Sequence, residues 1–511
     1  MIVRVLILAL SLTALATGTT TMYAVSTEEL ATSPDTTDAD VRANPVFGED
    51  REDGSKSRRY AFIHYNANRI HLNGADWSGL QQVLKEAAAG HATLDIVHIG
   101  DSHIQAEGNT SRVRRHLQHR YGSAGRGLII PFRLAGTNQP TDYRITSSAS
   151  FTSAKLMRMP WPTTMGFTGI SLAMPASTVS FDISNAQPFD AIAVYGRGEI
   201  SISEVTVGSA KVAFDEIDGN NATLAVLDHA VSACTITIDA PGGNIYGFEL
   251  RRDDHGIRYH AIGNNGATFS QYNSIGGFGA SLRQLAPDLV IVSLGTNEAF
   301  GKISDEAFTR QIDALVSDIN THNPGVHILL TTPSECQRTV YTTVRTRRKR
   351  RKRAKIRRVR SFAVNSNIAR LRSAILRYGE QHHIATWDWY DVAGGNGSST
   401  LWLSAHLLGG DRIHRTWAGY HLEGDLLAEA LDAALTGKAV AKIQASAITA
   451  EPHNNEGQST APKSEASTSE TKRTPKAKKS RSPKKKIQKH QVFQKTKQRK
   501  AQTTSLTPHG S

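Results

Sequence analysis

Leu94-Asp95-Ile96-Val97-His98-Ile99-Gly100-Asp101-Ser102-His103 decides the fold, being a short β-rich run that stops at a glycine and passes straight into a polar turn. Before it, Leu80, Val83 and Leu84 fall at helical spacing. After it, Val113, Leu117 and Tyr121 repeat every four residues and end at Gly122, so the stretch reads as a strand, turn, helix unit. The same pattern returns downstream. Asp288-Leu289-Val290-Ile291-Val292-Ser293-Leu294 is apolar on both faces and runs into Gly295-Thr296-Asn297-Glu298. Phe308, Ile312, Leu315 and Ile319 then mark a helix with Ser304 as its N-cap. Further strands are expected at residues 326–332 and 384–390, a helix through Ile368, Leu371 and Ile375, and a last helix over 416–435. Strands alternating with helices predict a mostly parallel sheet covered on both faces.

Between residues 139 and 255 the texture changes to short alternating runs such as Thr178-Val179-Ser180-Phe181-Asp182-Ile183 and Cys234-Thr235-Ile236-Thr237-Ile238, punctuated by Pro241-Gly242-Gly243. That pattern predicts an antiparallel β-sandwich inserted into the α/β domain, which is thereby split into residues 60–138 and 256–436.

The flanks carry most of the charge. The 511 residues have a formal net charge of +14, yet residues 345–360 hold 12 Lys or Arg and no acid, and residues 463–500 hold 15 against two Glu. Those two segments together carry +25, which leaves −11 for the rest, so a generally basic nucleic-acid-binding fold is not implied. Residues 1–24 read as a signal peptide, with Arg4, an apolar run too short to span a bilayer and small residues around Ala16 and Ala24; an uncleaved anchor is the other reading. This predicts a periplasmic or secreted protein with no transmembrane segment in its mature form. Residues 25–59 read as a linker and residues 437–511 as a disordered basic tail. The only cysteines, Cys234 and Cys336, lack metal-site spacing and are expected to be unpaired and buried. Neither a metal nor a cofactor is called for.

In a parallel sheet, catalysts gather at the carboxyl ends of the strands, and the polar landmarks of this chain fall there. Ser102 sits just past a buried strand at a helix start, where free N–H groups favour a developing negative charge; the plain alternative is an N-cap serine. A nucleophilic serine needs a base and a group to orient that base. Asp411-Arg412-Ile413-His414 supplies both within four residues. Asn297 at a strand end, and Gly266 within Gly263-Asn264-Asn265-Gly266-Ala267, are candidate oxyanion donors.

Taken together, these residues resemble the SGNH (GDSL-type) hydrolase family: block I at Gly100-Asp101-Ser102-His103, the block II glycine at Gly266, block III at Gly295-Thr296-Asn297-Glu298, and block V at Asp411-Arg412-Ile413-His414 with Thr416, Gly419 and Tyr420 behind it. The resemblance implies a flavodoxin-like three-layer α/β/α domain with Ser102 as nucleophile, His414 as base and Asp411 as orienter. It also implies an oxyanion hole from Ser102 N–H, Gly266 N–H and Asn297. His103 replaces the usual leucine and Glu298 a frequent aspartate, and both variants look like the branch containing peptidoglycan O-acetylesterases. Trp387-Asp388-Trp389-Tyr390 with Gly394-Gly395 is similar to that group as well, aromatic core being the other reading. The expected activity is removal of O-acetyl groups from an envelope glycan. The alternatives are an O-acyltransferase with the same triad and a polyanion-binding protein with a vestigial site. The expected partners are an acetylated glycan and an anionic envelope polymer held by the basic loop and tail. Interleaved aromatics are missing from the basic loop and nearly so from the tail, so no specific nucleic acid is expected.

Overall fold

Seven consecutive residues of strand β2 (Thr93–Gly100), all but Thr93, are buried, and this strand is the spine of the α/β domain. The computed structural model describes residues 59–219, 222–252, 255–346 and 355–438. The proposed signal peptide and most of the linker and tail lie outside them, as does the middle of the basic segment, 347–354. Among the described residues no helix is long and apolar enough to cross a membrane.

The central sheet has six strands: β1 (Ile70–His71), β2, β3 (Gly256–Gly263), β4 (Leu289–Ser293), β5 (His327–Thr331) and β6 (Ala385–Trp387). Their order is β1-β6-β5-β4-β2-β3, all parallel except β1. Alternation along β2 assigns its two faces. Val97 and Ile99 pack towards helices α4 (Asp305–His322) and α5 (Asn367–Gln381), burying Phe308, Ile312, Ile368 and Leu371. Leu94 and Ile96 pack on the other side towards α1 (Ser78–Ala88), α3 (Thr110–Tyr121) and α6 (Trp417–Leu435), burying Leu80, Leu84, Val113, Leu117 and Leu426. The result is a three-layer α/β/α domain. Its caps follow the local chemistry: Ser304 accepts the Ala307 N–H, and Gly122 ends α3 at φ +89°. The strand expected over 384–390 is shorter, because Asp388 caps a new helical turn at Trp389–Val392.

Two antiparallel sheets form the inserted module, five strands in one and seven in the other. Phe181 of the first meets Phe248 of the second edge to face at 5.2 Å, and apolar residues of both share one core. The module begins earlier than its sequence texture suggests. Gly127–Ile129 already pairs with Asn244–Arg251 of the larger sheet, which leads directly into β3.

Two buried ionic networks join the module to the α/β domain. In the first, Arg258 bridges Asp95 and Glu249, Arg251 also binds Glu249, and His260 Nε2 lies 3.2 Å from Asp95. His260 Nδ1 accepts the Leu128 N–H, so Nε2 carries the ring proton. Asp95, Glu249 and His260 come close enough to hold a metal, but Arg258 occupies both carboxylates, so the set is matched to an arginine. In the second network Glu107 and Asp142 face Arg114 and Arg126, both of which are buried. Burial alone would raise Asp142, but Arg126 and Arg114 hold it down to about 2. Glu107 sits in the turn after Ser102's helix at φ +55°, a left-handed conformation that its two arginine partners keep in place.

The described ends of the basic segment, residues 345–346 and 355–360, are strand and not loop. Gln337–Thr346 and Lys355–Val364 pair over ten rungs as an antiparallel ribbon, with four Thr, two Val and Tyr341 in the first strand supplying β propensity.

Removing one side of a buried charge cluster leaves the other uncompensated. Arg126→Ala is expected to cost about 3–5 kcal/mol in unfolding free energy, read from urea denaturation midpoints. A shift below about 0.5 kcal/mol would show that Arg114 alone suffices for both acids.

Candidate active site

β2 lies between β3 and β4, so the chain leaves its carboxyl end into the crevice where sheet order reverses. Asp101 occupies the cap position, with its Oδ1 accepting the His103 N–H at 2.9 Å, and Ser102 is the first residue of α2 (Ser102–Gln105). The serine is therefore not the cap. This helix is a single turn, so stabilisation of an anion at Ser102 rests on individual N–H groups and not on a long-helix dipole.

Ser102 Oγ lies 2.8 Å from His414 Nε2, and His414 Nδ1 lies 2.6 Å from Asp411 Oδ2. Asp411 Oδ1 accepts the backbone N–H groups of Ile413 and His414, both at 3.0 Å, which folds the loop into one orientation. Arg412 takes φ +67° to close it. These bonds hold the Asp411 carboxyl below its usual range despite burial that would raise it. Burial would lower His414, but the Asp411 hydrogen bond and charge outweigh it, and the imidazole is raised above its ordinary value. The pair is open to solvent at its rim, with side chains 37% and 41% exposed.

Gly266 adopts φ +82° in the turn after β3, and among the described residues neither its N–H nor that of Ser102 donates within the protein. Asn297 differs from the expectation. Its Nδ2 donates to Asp101 Oδ2 at 3.0 Å and to Ala267 O at 2.9 Å, so an oxyanion has to draw one of these protons away. Burial pushes Asp101 up to about 6 and Glu298, which accepts the Phe269 N–H, up to about 7.

Several supporting residues escaped the sequence reading. Gln105 ties α2 to the Gly266 turn, its Oε1 accepting Asn265 N–H at 2.7 Å and its Nε2 donating to Asn138 O at 2.7 Å. Its only sequence signal is a position three residues after Ser102. Arg415, buried behind the triad, donates to His103 Nδ1 at 3.1 Å and Ser334 Oγ at 2.5 Å and pairs with Glu423. Its guanidinium lies over Trp389, Trp402 and Tyr420, so the Trp387–Trp389 aromatic pair acts as core beneath it. His103 also faces Tyr420 OH at 3.0 Å, and burial keeps it neutral. Cys234 and Cys336 are free and buried, and burial pushes both thiols up to about 12. A groove of about 810 Å³ lies away from Ser102, beside His119, Ser123 and Pro188.

A parallel sheet with a serine, a histidine and an aspartate linked at its carboxyl edge is the arrangement of an α/β ester hydrolase. Residues 241–422 match the model of the GDSL-like Lipase/Acylhydrolase family, a span that holds Gly266, Asn297, Asp411 and His414 but starts after Ser102, which the inserted module separates from it. That part of the chain is thus similar to the GDSL-like acylhydrolases, the same resemblance that the blocks around Gly266, Asn297 and His414 carry. A solved structure of a peptidoglycan O-acetylesterase is similar in fold, at 22% identity and TM-score 0.58 over 72% of this chain and 99% of that one. Two smaller structures align at TM-score 0.25 and 17% identity: a lipase/acylhydrolase from Enterococcus faecalis, over 35% of this chain and 78% of its own, and an acetylxylan esterase from Geobacillus stearothermophilus, over 36% and 74%. No curated protein matches the chain.

Two outcomes follow from the packing and charge. A Cβ on Gly263 would lie 2.1 Å from Gln105 N, so Gly263→Ala must displace the helix that bears Ser102. It should lower kcat on a chromogenic acetate on the order of 10²-fold with far-UV circular dichroism unchanged. Because His414 is raised, kcat/KM should climb with pH through an apparent pKa above about 6.5, and Asp411→Asn should move that limb downwards. A limb that Asp411→Asn leaves in place would assign it to another group.

Proposed function

We propose that this esterase removes O-acetyl groups from an acetylated cell-envelope glycan such as peptidoglycan, through an acetyl-enzyme on Ser102. The observation that carries the reading is the continuous Ser102–His414–Asp411 hydrogen-bond relay at an open rim, which suits an ester displayed on a polymer. The fold shared with the peptidoglycan O-acetylesterase, which extends over 99% of that chain, supports the substrate class. Export by residues 1–24 belongs to the same proposal.

His414 Nε2 takes the proton from Ser102 Oγ as the oxygen attacks the acetyl carbonyl, and Asp411 stabilises the imidazolium that forms. The N–H groups of Ser102 and Gly266, joined by Asn297 once it turns from Asp101, receive the oxyanion. Proton return from His414 releases the sugar hydroxyl. Water activated by the same histidine then frees acetate.

Acetate release by the purified protein from O-acetylated peptidoglycan, acetylated xylan and a chromogenic acetate, assayed side by side, tests the substrate class. Peptidoglycan is expected to be the best polymer, and release that requires a sugar acceptor would make the enzyme an acyltransferase. Ser102→Ala should lose on the order of 10⁴- to 10⁶-fold in kcat with the fold retained. Asn297→Ala should lose about 10²- to 10³-fold, and a loss confined to KM would assign Asn297 to binding.

A further inference from the structure

The basic ribbon is rooted in the catalytic loop. Gln337 N–H donates to Arg412 O at 3.0 Å, so the first residue of the outgoing strand is bonded to the residue that follows Asp411. On the returning side, the residue that follows Val364 is fixed at the same base, Asn365 N–H donating to Cys336 O at 3.0 Å.

Directly opposed residues of an antiparallel ribbon share a face, and the next pair on that face comes two residues along. The register therefore puts Thr339 with Phe362, Tyr341 with Arg360 and Thr343 with Arg358 on one face. On it, cations and rings alternate. Arg412 lies over Phe362 at 4.7 Å, Arg360 over the same ring at 5.1 Å, and Arg358 over Tyr341 at 4.2 Å. The ladder starts in the triad loop, and its ribbon part, from Phe362 to Arg358, is roughly 13 Å long at the usual strand rise. Tyr341, Arg358 and Arg360 are exposed, and no acidic residue occurs from Gln337 to Val364 to neutralise them. The aromatics missing from the basic run itself are supplied by its flanking strand residues.

A guanidinium seated against a ring still has N–H donors with which to pair a carboxylate. We propose that the Arg412–Phe362–Arg360–Tyr341–Arg358 ladder is a binding subsite for an acidic polysaccharide strand, pairing its carboxylates and leading the strand into the Ser102 site. A nucleic acid would find cations and rings here as well, but it carries no carboxylic ester for the centre where the ladder begins. The inference rests on the glycan esterase reading for its choice of polymer.

The test is direct binding to the full-length protein of three probes: soluble peptidoglycan strands with free carboxylates, the same strands with those carboxylates amidated, and an oligodeoxythymidylate. Chromogenic acetate turnover, measured separately, decides the esterase reading whatever the binding shows. Arg358→Gln/Arg360→Gln should weaken binding to the carboxylate strands by roughly 2- to 30-fold, the range for two exposed ion pairs. On the unsubstituted protein, amidated strands should bind more weakly than carboxylate strands, which requires no variant to fold. The proposal is overturned if the double substitution leaves strand affinity unchanged, if amidated strands bind as well as the originals, or if the oligodeoxythymidylate binds more tightly than the carboxylate strands.

Discussion

Everything at the catalytic edge depends on two places where backbone must touch without a side chain between. A Cβ on Gly100 would meet Ile104 Cγ1 at 2.3 Å and Ser293 O at 2.9 Å, and one on Gly263 would strike the backbone of Gln105. With hydrogen there, the single turn of helix carrying Ser102 rests directly on the ends of β2 and β3. That seat brings Ser102 Oγ within reach of His414 and places Gln105 where it can hold the Asn265–Gly266 turn. The two glycines set the position of Ser102 and of the Gly266 turn at once.

The inserted module is joined to this edge by charge as well as by apolar packing. Burying Arg126, Arg114, Arg258 and their acids costs desolvation that a hydrophobic substitute would avoid, and the cost is offset only while every partner is present. Such networks are exacting about geometry. They fix the module against β2, β3 and the turn after α2, so that the β-sheets behave as an extension of the catalytic domain and not as a tethered accessory.

Much of this was legible in the sequence because its signals are local. The β-rich run ending at Gly100 and the four-residue rhythm of Val113 and Leu117 gave the layers, the polar ends of apolar runs marked Ser102 and Asn297, and the Asp411-to-His414 spacing marked the histidine. What stayed hidden depends on tertiary partners. Arg415 looks like any residue beside a histidine until three aromatic rings are seen around it, and Gln105 reads as an ordinary helix residue. The basic segment read as a loop because charge obscured its alternation, and its ring partners Tyr341 and Phe362 lie in the flanks of the run. Asn297 was identified by position, but its engagement with Asp101 is a matter of side-chain orientation that no spacing encodes.

Ser102 and His414, the proposed nucleophile and base, are 312 residues apart in sequence, with the whole inserted module between them. Closing so long a loop is slow compared with forming a helix or hairpin, and a chain made from its N-terminus presents Ser102 well before the segment bearing His414 exists. No early fragment of this protein can have a charged relay. The Ser102–His414 hydrogen bond closes only when the segments on either side of the module have been brought together, so this one contact reports on the assembly of the whole split domain.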